Sequence, residues 1–95
     1  MYIYFEQQFE WDVDKAAANL AKHDVWFADA VEVLFDPDAL TVLAPFADEE
    51  RFVTVGRDSL NQVLTVVYCW RGVRIRMISA RRASRQERRQ YEEGP

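Results

Sequence analysis

The chain has 95 residues, 49% hydrophobic and 29% charged, with three Gly and three Pro. This size and composition describe a single globular domain over residues 1–95 and exclude a multidomain enzyme, a disordered tail or a fibrous repeat. The net charge of −4 is polarised: residues 1–50 carry 2 basic and 12 acidic side chains, whereas residues 51–95 carry 10 basic, all Arg, and 4 acidic, which points to one local anion-binding face rather than a polyanion-coating surface.

The single cysteine, Cys69, has no partner for an internal disulfide or a thiolate metal cluster. The acidic N-terminal stretch lacks the layout of a signal peptide, and the longest low-polarity run, Val63 to Trp70, is far short of the roughly 20 residues of a membrane helix. A soluble cytoplasmic protein without membrane contact is expected.

In chain order, Tyr2–Phe5 and Phe9–Trp11 are β-prone runs. Val13, Ala16, Ala17 and Leu20 fall at i, i+3, i+4 and i+7 and predict a helix capped by Asp12 and ending near His23. Phe27, Ala30, Val31 and Leu34 repeat that spacing and predict a second helix, ended by Asp36-Pro37. From Ala39 the texture turns β-branched and aromatic, with strands predicted at Leu40–Leu43, Arg51–Val55, Val63–Trp70 and Val73–Ala80. The two-residue connection Arg71-Gly72 makes the last two strands antiparallel neighbours. Ser84-Arg85-Gln86-Glu87 is a capping box that opens a third, short helix. Its arginines come early and its glutamates late, against the helix dipole, an order better explained by a partner or ligand than by helix stability. The predicted architecture is α+β: two N-terminal helices packed on a four-stranded, mostly antiparallel sheet with a short C-terminal helix.

The densest chemical signal is Arg74 to Ser84. On a strand of period two, Arg74, Arg76 and Arg82 would share a face, with guanidinium groups roughly 7 Å apart, close to the spacing of phosphates along a single strand. Arginine suits this task because its planar fork binds phosphate bidentately. The competing explanation is an edge strand kept soluble by its charges. Lys22-His23 offers the only imidazole for general acid–base work, or simply a cationic helix end. Glu50-Arg51 could pair a base with a phosphate clamp, or form a surface ion pair. Tyr68 could donate a proton or stack on a base, or be an ordinary core tyrosine. No Gly-rich phosphate loop, nucleophile elbow, HExxH or paired cysteine occurs, so a metal-independent site without cofactor is expected. RNA carries its own nucleophile, the 2′-hydroxyl, and needs only a base, an acid and cations.

Phe9-Glu10-Trp11-Asp12, Lys22-His23, Glu50-Arg51-Phe52-Val53-Thr54-Val55-Gly56 and Ile78-Ser79-Ala80-Arg81-Arg82-Ala83, in that order, resemble the BrnT family of bacterial toxins over nearly the whole chain. The resemblance implies a RelE-like fold, an endoribonuclease that halts translation, and a cognate BrnA-like antitoxin through which the complex contacts operator DNA. It implies Lys22, His23, Glu50, Arg51, Tyr68, Arg76 and Arg81 as catalytic candidates, with Arg74, Arg82 and Arg85 as RNA-binding ones. Asp24 stands where a glycine usually follows the Lys-His pair. The alternative is a noncatalytic module whose arginine face only binds a partner protein. A DNA reader in its own right fits poorly, since the basic residues follow no helix-turn-helix layout.

Overall fold

The computed structural model describes residues 1–94. Its elements run β1 (Tyr2–Phe5), β2 (Phe9–Asp12), α1 (Val13–His23), α2 (Phe27–Ala30) continuing as a 3-10 turn over Val31–Phe35, β3 (Leu40–Phe46), β4 (Glu49–Arg57), β5 (Val63–Arg71), β6 (Arg74–Arg82) and α3 (Arg85–Glu93). The α+β class holds, but the sheet has six strands, not four, in the order β1-β2-β6-β5-β4-β3. The two extra strands are the β-prone N-terminal runs. Glu6 and Gln7 take positive φ, 53° and 62°, and fold β1 back on β2; β2 then lies parallel to β6, Phe9 beside Ile75 and Glu10 beside Arg76. That pairing joins residues more than sixty positions apart, which no local pattern encodes.

The second predicted helix is α-helical for one turn only. Phe27, Ala30 and Val33, all buried, are three residues apart, and a 3-10 turn of three residues per turn keeps such a set on one side. Asp36 closes it, its N–H donating to Val33 O at 3.1 Å. The first and third helices form as expected. Asp12 accepts from the Lys15 N–H at 3.0 Å, and the Ser84/Glu87 capping box is complete. Asp24 ends α1 in the left-handed conformation, φ 57°, its N–H on Leu20 O, so the cap that glycine usually supplies forms here with aspartate.

The core lies between one sheet face and α1, α2 and the 3-10 turn. Phe9, Trp11, Leu64, Val66, Tyr68, Met77 and Ala80 meet Val25, Phe27, Ala30, Val31 and Val33 there. Asn19, buried in α1, closes the part of β6 that β2 does not reach. Its amide donates to Ala80 O at 2.9 Å and Val25 O at 3.0 Å and accepts from the Ala80 N–H at 3.1 Å. A side-chain amide thus stands in for a neighbouring strand. Gly56 is needed by close approach: a Cβ there would lie 3.0 Å from Asp36 Oδ2 and 3.1 Å from Val33 Cγ1.

Candidate active site

The sheet face opposite α1 and α2 carries the charges, and its composition follows from strand alternation broken once. Val67 pairs with Ser79 but Tyr68 pairs with Met77, leaving Ile78 as a bulge in β6. Before the bulge Arg74 and Arg76 point to the charged face; after it the parity reverses, so Arg81 joins them and Arg82 turns to the other side. Strict alternation would have put Arg82 with Arg74 and Arg76, as the sequence suggested. Arg82 instead is exposed and donates to Gln62 Oε1 at 3.1 Å.

The centre of this face is a cleft of about 180 Å³ lined by Tyr2, Asp12, Lys15, Glu49, Arg51, Cys69, Arg71 and Arg76, among others. Glu49 Oε1 accepts from Arg51 Nε and Oε2 from Arg71 Nη2, both at 2.9 Å. The Arg51 hydrogen bond, with the charges of Arg51 and Arg71, lowers the Glu49 carboxyl below its ordinary value against the opposing effect of partial burial. Arg76 donates from Nε to the buried Glu10 Oε2 at 2.8 Å. Burial disfavours its charge, but the bond to Glu10 and that carboxylate's charge outweigh it and raise the Arg76 pKa. The Cys69 thiol is raised, first by burial and then by the charge of Glu49, so it stays protonated at neutral pH. Among the described residues no three His, Cys, Asp or Glu side chains converge closely enough to hold a metal ion.

Aromatic rings flank the arginines. The Arg76 guanidinium lies 4.4 Å from the Tyr2 ring centroid, Arg74 4.4 Å from Tyr4, and Arg51 4.1 Å from Phe46. At the other end of the face Arg81 is held by Glu87 of α3.

The structure therefore places Arg51, Arg74, Arg76 and Arg81 on one face, with Arg81 at its far end from Arg74. Lys22, exposed, is two turns beyond Lys15 and shares the side of α1 that Lys15 presents to the cleft; His23 is half-buried in the last turn. Glu50 and Tyr68 lie apart. Glu50 is out of step with Arg51 by one residue and borders a separate hollow with Phe52 and Trp70. Tyr68 is in the core, its hydroxyl hydrogen-bonded to Thr54 Oγ1 at 2.9 Å and its ring stacked on Phe52 at 5.7 Å. Arg85 is exposed at the start of α3. Sequence reasoning missed Tyr2, Glu10, Lys15, Glu49 and Arg71. Glu49 was findable, since it sits two residues from Arg51 on a strand; Tyr2 and Glu10 were not, because only the parallel β2–β6 pairing delivers them.

Such a sheet, with α1 and α2 on one face and paired arginines with exposed rings on the other, defines a small α+β protein with one arginine-rich face. The family model described as ribonuclease toxin, BrnT, of type II toxin-antitoxin system matches residues 11–87, and the chain belongs to that family. The crystal structure of the Brucella abortus ribonuclease toxin BrnT is similar, with a TM-score of 0.59 and 27% identity over 79% of this chain and 94% of that one. No curated protein matches the chain. Membership of a type II toxin family implies an antitoxin partner.

Proposed function

We propose that this protein is a cytoplasmic endoribonuclease toxin that inhibits translation by cutting RNA on the arginine face. The observation that carries the reading is the convergence of Arg51, Arg71 and Arg76 around the Glu49 carboxylate in a cleft built mostly from the family-matched part of the chain. The guanidinium groups bind the scissile phosphate and stabilise the charge that builds on its oxygens. Glu49, ionised at neutral pH, accepts the proton of the RNA 2′-hydroxyl, whose oxygen attacks the adjacent phosphorus. The bond to the 5′-oxygen breaks, the Lys15 ammonium gives that oxygen its proton, and a 2′,3′-cyclic phosphate and a 5′-hydroxyl result; Glu49 then releases its proton to solvent and Lys15 regains one from water. This route needs no metal ion, because resident cations meet the developing charge. Neutralisation falls to a BrnA-like antitoxin that covers the arginine face and contacts operator DNA on behalf of the complex.

One observation favours a noncatalytic module instead: Arg51, Arg71, Arg76 and Arg81 are each paired with a carboxylate of the same chain. RNA must displace or share these partners. Induced expression in a bacterium, with cellular RNA mapped for new ends, separates the readings. Growth arrest with new 2′,3′-cyclic ends, lost in folded Arg76→Ala and Glu49→Gln and relieved by the antitoxin, supports the ribonuclease. Intact RNA and normal growth from soluble folded protein supports the module.

A further inference from the structure

β1 lies outside the residues 11–87 that the family model matches, yet it reaches the arginine face. Tyr2 and Tyr4 alternate onto that face opposite Asp12 and Glu10, while Ile3 and Phe5 turn to the other side, where Phe5 packs on Trp11. Each tyrosine lies against one guanidinium, Tyr2 against Arg76 and Tyr4 against Arg74, at 4.4 Å. Both rings remain open, 38% exposed at Tyr2 and 59% at Tyr4. Residues two apart on a strand are separated by roughly 7 Å, which matches successive bases of an extended single strand. Tyrosines that served only to pack would bury their rings; these pair an exposed ring with a cation at two consecutive outward positions.

Resting on the ribonuclease reading above, we propose that Tyr2 and Tyr4 form a base-stacking platform for single-stranded RNA: two adjacent nucleobases lie on the rings while Arg74 and Arg76 hold the phosphate that joins them and the one that flanks it. β1 thereby adds a nucleobase-binding site beside the cleft, and it governs which single strands are held well enough to be cut. Stacking on a ring accepts any base but favours purines, with their larger π-surface, so the platform biases cleavage next to purine-rich single strands.

The test uses the full chain and a short fluorescein-labelled RNA single strand carrying 2′-O-methyl groups, which binds but lacks the attacking hydroxyl. Tyr4→Ala is expected to weaken its binding by roughly 5- to 150-fold, the fold-change of losing one base stack, while Tyr4→Phe keeps it. The slope of affinity against salt stays as in the wild type, because no phosphate contact is removed; Arg74→Ala reduces that slope by about 1. Tyr2→Ala is expected to behave like Tyr4→Ala, and if it unfolds, Tyr4 decides alone. With cleavable RNA, KM rises more than kcat falls. Unchanged affinity in Tyr4→Ala, with wild-type protein binding and cutting RNA, overturns the platform alone. Equal loss in Tyr4→Phe overturns it too, since the hydroxyl and not the ring would then matter. Loss of antitoxin affinity with RNA affinity intact assigns the tyrosines to a protein interface and overturns it as well. Wild-type protein that neither binds nor cuts RNA overturns the ribonuclease reading with it.

Discussion

Arg81 grips Glu87 with two parallel hydrogen bonds, Nη1 to Oε1 at 2.8 Å and Nη2 to Oε2 at 3.0 Å. The same Oε1 accepts from Thr65 Oγ1 at 3.0 Å and from the Ser84 N–H at 2.8 Å. One carboxylate thus ties β5, β6 and the start of α3, and it sets the direction of the arginine that the bulge brings onto the charged face.

Acid should cut this tie. The Arg81 bond, helped by the Ser84 and Thr65 donors, lowers Glu87 from 4.5 to about 2 against the opposing effect of burial. A carboxyl whose folded pKa is depressed stabilises the fold above its unfolded pKa, and that stability is lost as pH falls from about 4.5 toward 2. The shift sets a ceiling of about 3 kcal/mol. Arg81 is 42% exposed, and solvent screening reduces the contribution to about 1–2 kcal/mol. Urea unfolding of wild type and Glu87→Gln at pH 7 and pH 3 checks this. The variant should be weaker at pH 7 and lose less on acidification; equal acid losses would show that Glu87 is not the titrating group.

Tyr68→Phe separates the two faces of the sheet. Tyr68 ends a chain of hydroxyls that runs from exposed Thr41 to buried Thr54 at 2.8 Å and from Thr54 to Tyr68 at 2.9 Å. Removing its hydroxyl leaves Thr54 bonded to Thr41, so the expected cost is about 1 kcal/mol of stability. RNA cleavage should stay within threefold of wild type. A larger fall in cleavage at unchanged stability would bring Tyr68 back to the chemistry.

Local signals carried most of the fold. The Asp12 cap, the α1 stripe, the Gly72 turn and the Ser84/Glu87 box each depend on neighbours within a few residues, and each stands where the spacing placed it. What escaped was non-local or one residue off. The parallel β2–β6 pairing left the N-terminal strands out of the sheet and hid Glu10 as the partner of Arg76. The Ile78 bulge exchanged Arg82 for Arg81 on the charged face. Period two, applied strictly to Glu49, Glu50 and Arg51, would have chosen the right carboxylate for that face.

Asn19→Ala should be among the most damaging single changes away from the cleft. Asn19 is 7% exposed and its amide satisfies three backbone groups, the Ala80 N–H and the Ala80 and Val25 carbonyls. Alanine leaves them buried without partners at a cost of about 3 kcal/mol. For a domain of this size that lowers Tm on the order of 15 °C. Calorimetry of the variant checks it, and a shift of a few degrees would mean that water enters and replaces the amide.

Arg81→Ala and Arg82→Ala, adjacent in sequence, should differ sharply in activity. The bulge turns Arg81 toward Arg74 and Arg76 and sends Arg82 to the other face, where Gln62 holds it. An arginine that stabilises phosphate charge is worth roughly 10²–10³ in rate, so Arg81→Ala should lose about that much while Arg82→Ala stays within threefold. Because Arg81→Ala also frees Glu87, the comparison needs Glu87→Gln, which breaks the same pair but keeps the guanidinium. Cleavage retained in Glu87→Gln and lost in Arg81→Ala assigns the loss to the missing charge. Equal losses in both would mean that α3 docking, not the Arg81 charge, is what activity requires, and equal activity in the two arginine variants would remove Arg81 from the RNA-facing set.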